Sequence, residues 1–280
     1  MDALRRLASN AVDVAVDGAY LRAFAADGAR AVLRVTQPEP ARLRVQAAGM
    51  TPARALALAD RMLGSSVVMR SWERRSASVP WVARLARALR GLRPPRYPTL
   101  WEACAYAIVF QQISIHAASA IMLRLVHALV RSVRVDGIAL LPFPAPAALL
   151  SARDEHLRAA GLSANKVAHL RAVAHALERG DVTGEEIERL PTPQAAERLV
   201  QLRGIGAWSA AVVLLRGFGR LDTFPMRDSG VARTAALLSG DPSLDLERVL
   251  DALGATRGML YYHLLLGRLR NLTPGTAIEE

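Results

Sequence analysis

Two short segments carry residue types whose spacing could do chemistry. Leu202-Arg203-Gly204-Ile205-Gly206-Ala207-Trp208-Ser209-Ala210-Ala211 joins one apolar-periodic stretch to the next, with two glycines flanking Ile205. Glycine reaches positive φ and lets another backbone come close. Such a turn leaves free N–H groups at the start of the following helix, where aligned peptide dipoles favour an anion. It can hold a phosphate without reading a base, while Ile205 plugs the turn into the core. An ordinary helix corner with a glycine cap uses the same residues, and Gly-x-Gly alone does not choose between the two. Downstream, Leu221-Asp222-Thr223-Phe224-Pro225-Met226-Arg227-Asp228 ends on a carboxylate, followed by Ser229-Gly230-Val231-Ala232-Arg233. Asp228 suits the cap of a helix starting at Ser229. A fixed carboxylate is also what stabilises positive charge on a reacting carbon and orients a water molecule.

The composition sets bounds on what these segments can serve. The chain has 280 residues, 52% hydrophobic and 22% charged, the balance of a globular protein of one large domain or two to three small ones. Lys plus Arg number 36 against 25 Asp plus Glu, a net charge of +11. Arginine carries the excess, since Lys166 is the sole lysine. A basic chain suits nucleic acid or an acidic membrane surface, although a GC-rich genome enriches arginine as well. The lone cysteine, Cys104, excludes an intramolecular disulfide, a cysteine-based zinc site and an iron–sulfur cluster. The histidines lack metal-ligand spacing, so no metal is expected. The first residues lack a signal-peptide core, and no charge-free stretch reaches transmembrane length. The expectation is no membrane partner and a cytoplasmic location, in a bacterium the nucleoid.

The elements that must position the two segments follow from periodicity. Val12, Val14 and Val16 alternate, Asp17-Gly18 signals a tight turn, and Tyr20 to Ala25 forms the return strand. Asp27-Gly28 signals a second turn before Ala31 to Thr36, and Leu43 and Val45 continue the alternation. Thr51-Pro52 opens a helix over Ala53 to Leu63. Arg93 to Pro98 is a proline-rich linker. Thr99-Leu100-Trp101-Glu102 reads as a capping box. Helices follow at Ala103 to Ile113, Ala117 to Val130, Asp154 to Ala160, Asn165 to Leu177 and Gln194 to Leu202. Further helices cover Ala207 to Leu215, Ser229 to Leu238, Leu246 to Leu253 and Met259 to Leu269. The class is α+β: residues 1–98 form a small antiparallel sheet with a helix, and residues 99–280 form a helical bundle.

"LRGIGAWSA" followed by "DTFPMRDSGVAR" resembles the helix-hairpin-helix (HhH-GPD) DNA glycosylase superfamily, nearest its 3-methyladenine DNA glycosylase II branch. Phe110-Gln111-Gln112-Ile113-Ser114 resembles the loop that enters DNA in that family. Gly161-Leu162-Ser163 with Lys166 resembles its G-x-S-x-x-K helix start. The resemblance covers about Thr99 to Arg270. It implies a monomeric enzyme on double-stranded DNA that hydrolyses the N-glycosidic bond of a damaged, flipped-out base. The base would be alkylated, of the 3-methyladenine or 7-methylguanine type; oxidised, deaminated or crosslinked bases are the alternative, and a non-catalytic DNA-binding module is a further one. Asp228 becomes the catalytic residue. Gly204, Ile205, Gly206, Ser209 and Arg227 become DNA contacts, and Gln112 with Ile113 becomes the wedge that fills the gap left by the base. No cofactor is implied beyond a monovalent cation bridging hairpin and phosphate. Bifunctional members carry a lysine where this chain has Trp208, so the resemblance implies hydrolysis without strand cleavage. Trp208 is either a pocket wall or a core residue. The branch's aromatic pocket positions match Val212, Ser229 and Leu265 here; Tyr106, Phe110, Tyr261 and Tyr262 are the candidate substitutes for the missing rings, with core packing the first reading of each.

Overall fold

The computed structural model describes residue 10, residues 12–25 and residues 30–273. Strands β1 (Val14–Val16), β2 (Ala19–Ala25), β3 (Arg30–Glu39) and β4 (Arg42–Ala48) form one antiparallel sheet in chain order. Asp17 and Gly18 both take positive φ, 48° and 71°. That is the two-residue hairpin geometry whose twist matches the flanking strands. The expected Asp27-Gly28 turn lies outside the described residues. Helix α1 (Pro52–Leu63) starts as its sequence dictates: the Thr51 side chain accepts the Arg54 N–H, and Pro52 stands at the first helical position. It closes a small core of Tyr20, Leu33, Val35, Ala55, Ala59 and Met62. The other sheet face packs Leu21, Ala23 and Val32 on Leu140. Leu140 ends a hairpin, β5 (Val133–Val135) and β6 (Ile138–Leu140), turned by Asp136-Gly137.

The remainder is helical: α2 (Arg70–Ala77), α3 (Pro80–Ala88), α4 (Leu100–Val109), α5 (Ile115–Leu129), α6 (Pro146–Ser151), α7 (Asp154–Ala159) and α8 (Ala164–Glu178). Then come α9 (Gly184–Arg189), α10 (Thr192–Val200), α11 (Ala207–Phe218), α12 (Ser229–Ser239), α13 (Leu246–Leu253) and α14 (Arg257–Leu269). These helices enclose two cores. One gathers α4, α5, α8 and α11 around residues such as Ile108, Leu170 and Val213. The other joins α12, α13 and α14 to α2 and α3 through Trp72, Trp81, Val82 and Leu85. So α2 and α3, which precede residue 98, share a core with the C-terminal helices. At the centre α11 crosses α4 closely: a Cβ on Gly217 would stand 2.9 Å from that of Ala103.

Two local expectations are corrected. The helix expected over Ala103 to Ile113 stops at Val109. Lys166 Nζ donates to the Val109 and Gln111 carbonyls at 2.7 and 2.9 Å, taking oxygens that a continued helix would have used. The chain then turns at Gln112 with φ 59°. The capping box at Thr99 is only half formed. Thr99 accepts the Glu102 N–H at 3.1 Å, but the Glu102 carboxylate turns to Arg22 instead of returning to the cap. A complete box occurs at Thr183 and Glu186.

Candidate active site

The glycine turn between α10 and α11 is built for close contact. Gly204 takes φ 93°, and a Cβ there would fall 2.4 Å from Cβ and Cγ of His169 on α8. Ile205 is buried, and its N–H bonds the Leu202 carbonyl at 3.0 Å. Gly206, the N-cap of α11, is exposed and supplies no side-chain cap. Orphan N–H groups of the first turn therefore lie at the surface, where an anion can take them. Gly204→Ala is expected to lose about 1–3 kcal/mol of stability, the range for a residue forced into a sparsely populated backbone conformation. Denaturant unfolding of the variant measures this, and an unchanged midpoint would mean that the hairpin yields freely.

A second loop stands beside the turn. Gln111 Nε2 donates to the Gly204 carbonyl and to Ser209 Oγ, both at 2.8 Å. This ties the end of α4 to the hairpin, so Lys166 and Gln111 together fix where the next residues point. Those residues, Gln112 and Ile113, are exposed, Ile113 to 38%. The expected Ser209 contact needs correction, because its hydroxyl is buried and faces Gln111.

Asp228 caps α12. Its Oδ1 accepts the Gly230 and Val231 N–H groups, both at 3.0 Å. Its Oδ2 accepts the Trp208 indole N–H at 3.2 Å. The carboxylate is half-buried, and no ion pair among the described residues includes it. It is thus held at three points with its charge uncancelled, on the loop that follows the hairpin helix. Arg227 beside it is exposed, with φ 61°. Trp208 packs its ring against the core around α4 and acts on Asp228 through its N–H.

Between the two helical cores lies a cavity of about 70 Å³, lined by α4, α5, α14 and the linker. Tyr106, Phe110 and Leu265 line it, as does Tyr97, whose ring stacks on Tyr106 with centroids 4.6 Å apart. Val212 does not; it is buried in the core of α4 and α11, because that face of α11 packs on α4. Ser229 is exposed at the start of α12, and neither it nor Trp208 lines the cavity. Tyr262, one of the aromatics expected as substitutes, lines it too, whereas Tyr261 does not; Arg216 also lines it, and no sequence pattern pointed to it. Burial pushes the Tyr261 hydroxyl well above its usual range, with Arg216 opposing that shift and Asp228 adding to it.

Residues 105–252 match the family described as HhH-GPD superfamily base excision DNA repair protein. The chain belongs to that superfamily. The HhH-GPD chain is 32% identical over 152 residues to DNA-3-methyladenine glycosylase 1 of Schizosaccharomyces pombe, a span of 53% of this chain and 63% of that relative. The match thus covers less than two thirds of the relative's own length. The fold matches 3-methyladenine DNA-glycosylase from Archaeoglobus fulgidus with a TM-score of 0.81 at 23% identity, over 95% of this chain and 93% of that one. The Schizosaccharomyces pombe 3-methyladenine DNA glycosylase in complex with abasic DNA matches with a TM-score of 0.61 at 26% identity, over 73% and 99% of the two chains. No helix among the described residues of the HhH-GPD chain is long and apolar enough to cross a membrane.

Proposed function

We propose that this chain is a monofunctional DNA glycosylase, which hydrolyses the N-glycosidic bond of a damaged base turned out of double-stranded DNA. The observation that carries the reading is the Asp228 carboxylate, fixed at three points, unpaired in charge, and set one loop beyond a glycine hairpin with open N–H groups. The hairpin grips a phosphate beside the lesion. Gln112 and Ile113 fill the space that the base leaves. As the C1′–N bond lengthens, positive charge grows on the sugar and Asp228 stabilises it. A water oxygen then bonds C1′, with Asp228 orienting it and taking a proton on to solvent.

Strand cleavage through a Schiff base needs a free amine at the sugar carbon. Trp208 stands at the superfamily's lysine position, and the Lys166 amine is engaged by two carbonyls at the end of α4. The names of the relatives support an alkylated base. The complex of one similar protein with abasic DNA supports DNA as the partner. Hairpin carbonyls also suit a monovalent cation. Gly204 and Leu202 each accept one hydrogen bond, from Gln111 Nε2 and Ile205 N–H, and a carbonyl has two lone pairs. The Leu202 and Gly204 carbonyls would hold such an ion, which would supply positive charge to a phosphate and no other chemistry. The test is incubation with duplexes that each carry one damaged base, followed by hot alkali. Alkali-labile sites without prior strand cleavage are expected; intact strands for every lesion would leave only a binding module.

A further inference from the structure

The last turn of α14 carries Arg268, an exposed arginine. The helix lies close to its neighbours there, since a Cβ on Gly267 would stand 3.2 Å from Leu238 Cδ1 on α12 and 3.3 Å from Leu85 Cδ1 on α3. The Arg268 side chain reaches the start of α12. A Cβ on Gly230 would stand 3.3 Å from Arg268 Nη1 and 3.3 Å from Asp228 Oδ1, so guanidinium and carboxylate share the space that this glycine leaves open. Glycine in the first turn of a helix costs stability, and the close approach of these two groups is its use here. No ion pair of the described residues includes Arg268. Neither α12 nor α14 contains an Asp or Glu. The Gly230 and Val231 N–H groups are already bonded to Asp228, and the aligned dipoles of α12 oppose a cation at this end. An exposed cation is thus held against a helix start that presents donors, not acceptors.

We propose that Arg268 binds a phosphate of the damaged nucleotide itself, beside the sugar whose C1′ faces Asp228. The inference rests on the glycosylase reading above, which places C1′ at that carboxylate. A nucleotide's own phosphates are joined to its sugar ring through O3′ and O5′, so a sugar seated on Asp228 brings a phosphodiester to its flank. Gly230 sets the guanidinium beside the same carboxylate. A cation is also what the approach of DNA requires there. A phosphodiester next to an uncancelled carboxylate brings like charges together, and Arg268 offsets that repulsion without pairing with Asp228. The glycine hairpin grips one phosphate through backbone N–H groups, and Arg268, from the last helix, grips another. Two fixed phosphates hold the backbone in register while the base leaves the stack.

Binding to a duplex with one tetrahydrofuran abasic site, which resists hydrolysis, reads this contact apart from excision. An uncharged methylphosphonate replaces the phosphate on the 5′ or on the 3′ side of that site. At one of the two positions the wild type is expected to bind ~10-fold more weakly, the scale of one charge-assisted hydrogen bond. Arg268→Met is expected to bind the unmodified duplex ~10-fold more weakly and to lower the slope of log affinity against log salt by about 1. The same methylphosphonate is then expected to cost that variant less than about twofold, because the two changes remove one interaction. Arg268→Lys keeps a cation and is expected to keep the sensitivity. Thermal unfolding of each variant is expected to match the wild type, because the side chain is exposed. A wild type indifferent to both methylphosphonates overturns the contact. So does an Arg268→Met that loses as much as the wild type at each position, even if its excision falls. Excision is measured separately on the wild type. Absent coupling with lesions still excised sinks the Arg268 contact alone, whereas intact strands for every lesion mean that the glycosylase reading itself has failed.

Discussion

Asp228→Asn is expected to reduce base excision by ~10²-fold or more, the scale of removing one preorganised charge-stabilising group. Duplex binding should change little, because the hairpin and the Gln112 loop are untouched. The substitution separates the two roles of this side chain. Asparagine caps a helix as well as aspartate does, so the Gly230 and Val231 N–H groups keep an acceptor. What disappears is the charge, together with the acceptor facing Trp208, since the carboxamide that caps the helix through its oxygen turns its own N–H groups toward the indole N–H. Stability should therefore hold while turnover falls. The measurement pairs single-turnover excision with denaturant unfolding. Near-normal turnover in a stable variant would leave Asp228 as a cap and nothing more.

The site was legible in part because two of its signals are local. A turn that needs positive φ announces itself as Gly204, and a helix that starts on Asp228 announces itself through the capping preference of aspartate. The same holds for Thr51, Thr99 and Ser163, each of which accepts the N–H three residues on. Less legible was anything set by partners distant in sequence. Gln111 reads as a polar residue at a helix end, and only the approach of the hairpin to within 2.8 Å makes it a tie. Helix α2 has few apolar positions, and both α2 and α3 pack through Trp72 and Trp81 on a core made by residues far along the chain. The β5–β6 hairpin did carry a readable signal, Asp136-Gly137, with both residues at positive φ.

Net charge was the least specific signal, and the structure gives the physical reason. Many arginines bind the carbonyls at helix C-termini, where a cation opposes the dipole. Arg61 donates to the Gly217 carbonyl at 2.6 Å, Arg124 to Ala160 at 2.9 Å, Arg171 to Ala152 at 2.6 Å and Arg220 to Glu188 at 2.6 Å. Lys166 does the same at α4. A net charge of +11 therefore overstates the charge free to meet a partner. Arg203, Arg227 and Arg233 are exposed near the hairpin and its following loop, and on the proposed reading they are among the cations available to phosphates.

Arg22 makes the opposite use of charge, and its removal is expected to have the largest effect on stability. It is 2% exposed, with Nη1 at 2.6 Å from Asp13 Oδ1 and Nη2 at 2.5 Å from Glu102 Oε2. Tyr20 donates to the same Asp13 oxygen at 2.6 Å. Burial works against the guanidinium's charge, but Glu102 and Asp13 outweigh it and raise its pKa well above the ordinary value. The network joins the sheet to α4, the helix whose far end sets the Gln112 loop. Arg22→Met fills a similar volume and removes the guanidinium that the two buried carboxylates share. The expected loss is about 3–5 kcal/mol of unfolding free energy, the range for breaking a buried pair from one side. Replacing Asp13 and Glu102 with apolar residues in the same variant should return most of that loss, because the buried charges go with them. Denaturant unfolding of the single and triple variants measures both steps. A single-variant loss below about 1 kcal/mol would mean that water reaches the carboxylates and that the sheet is joined to α4 by apolar packing alone.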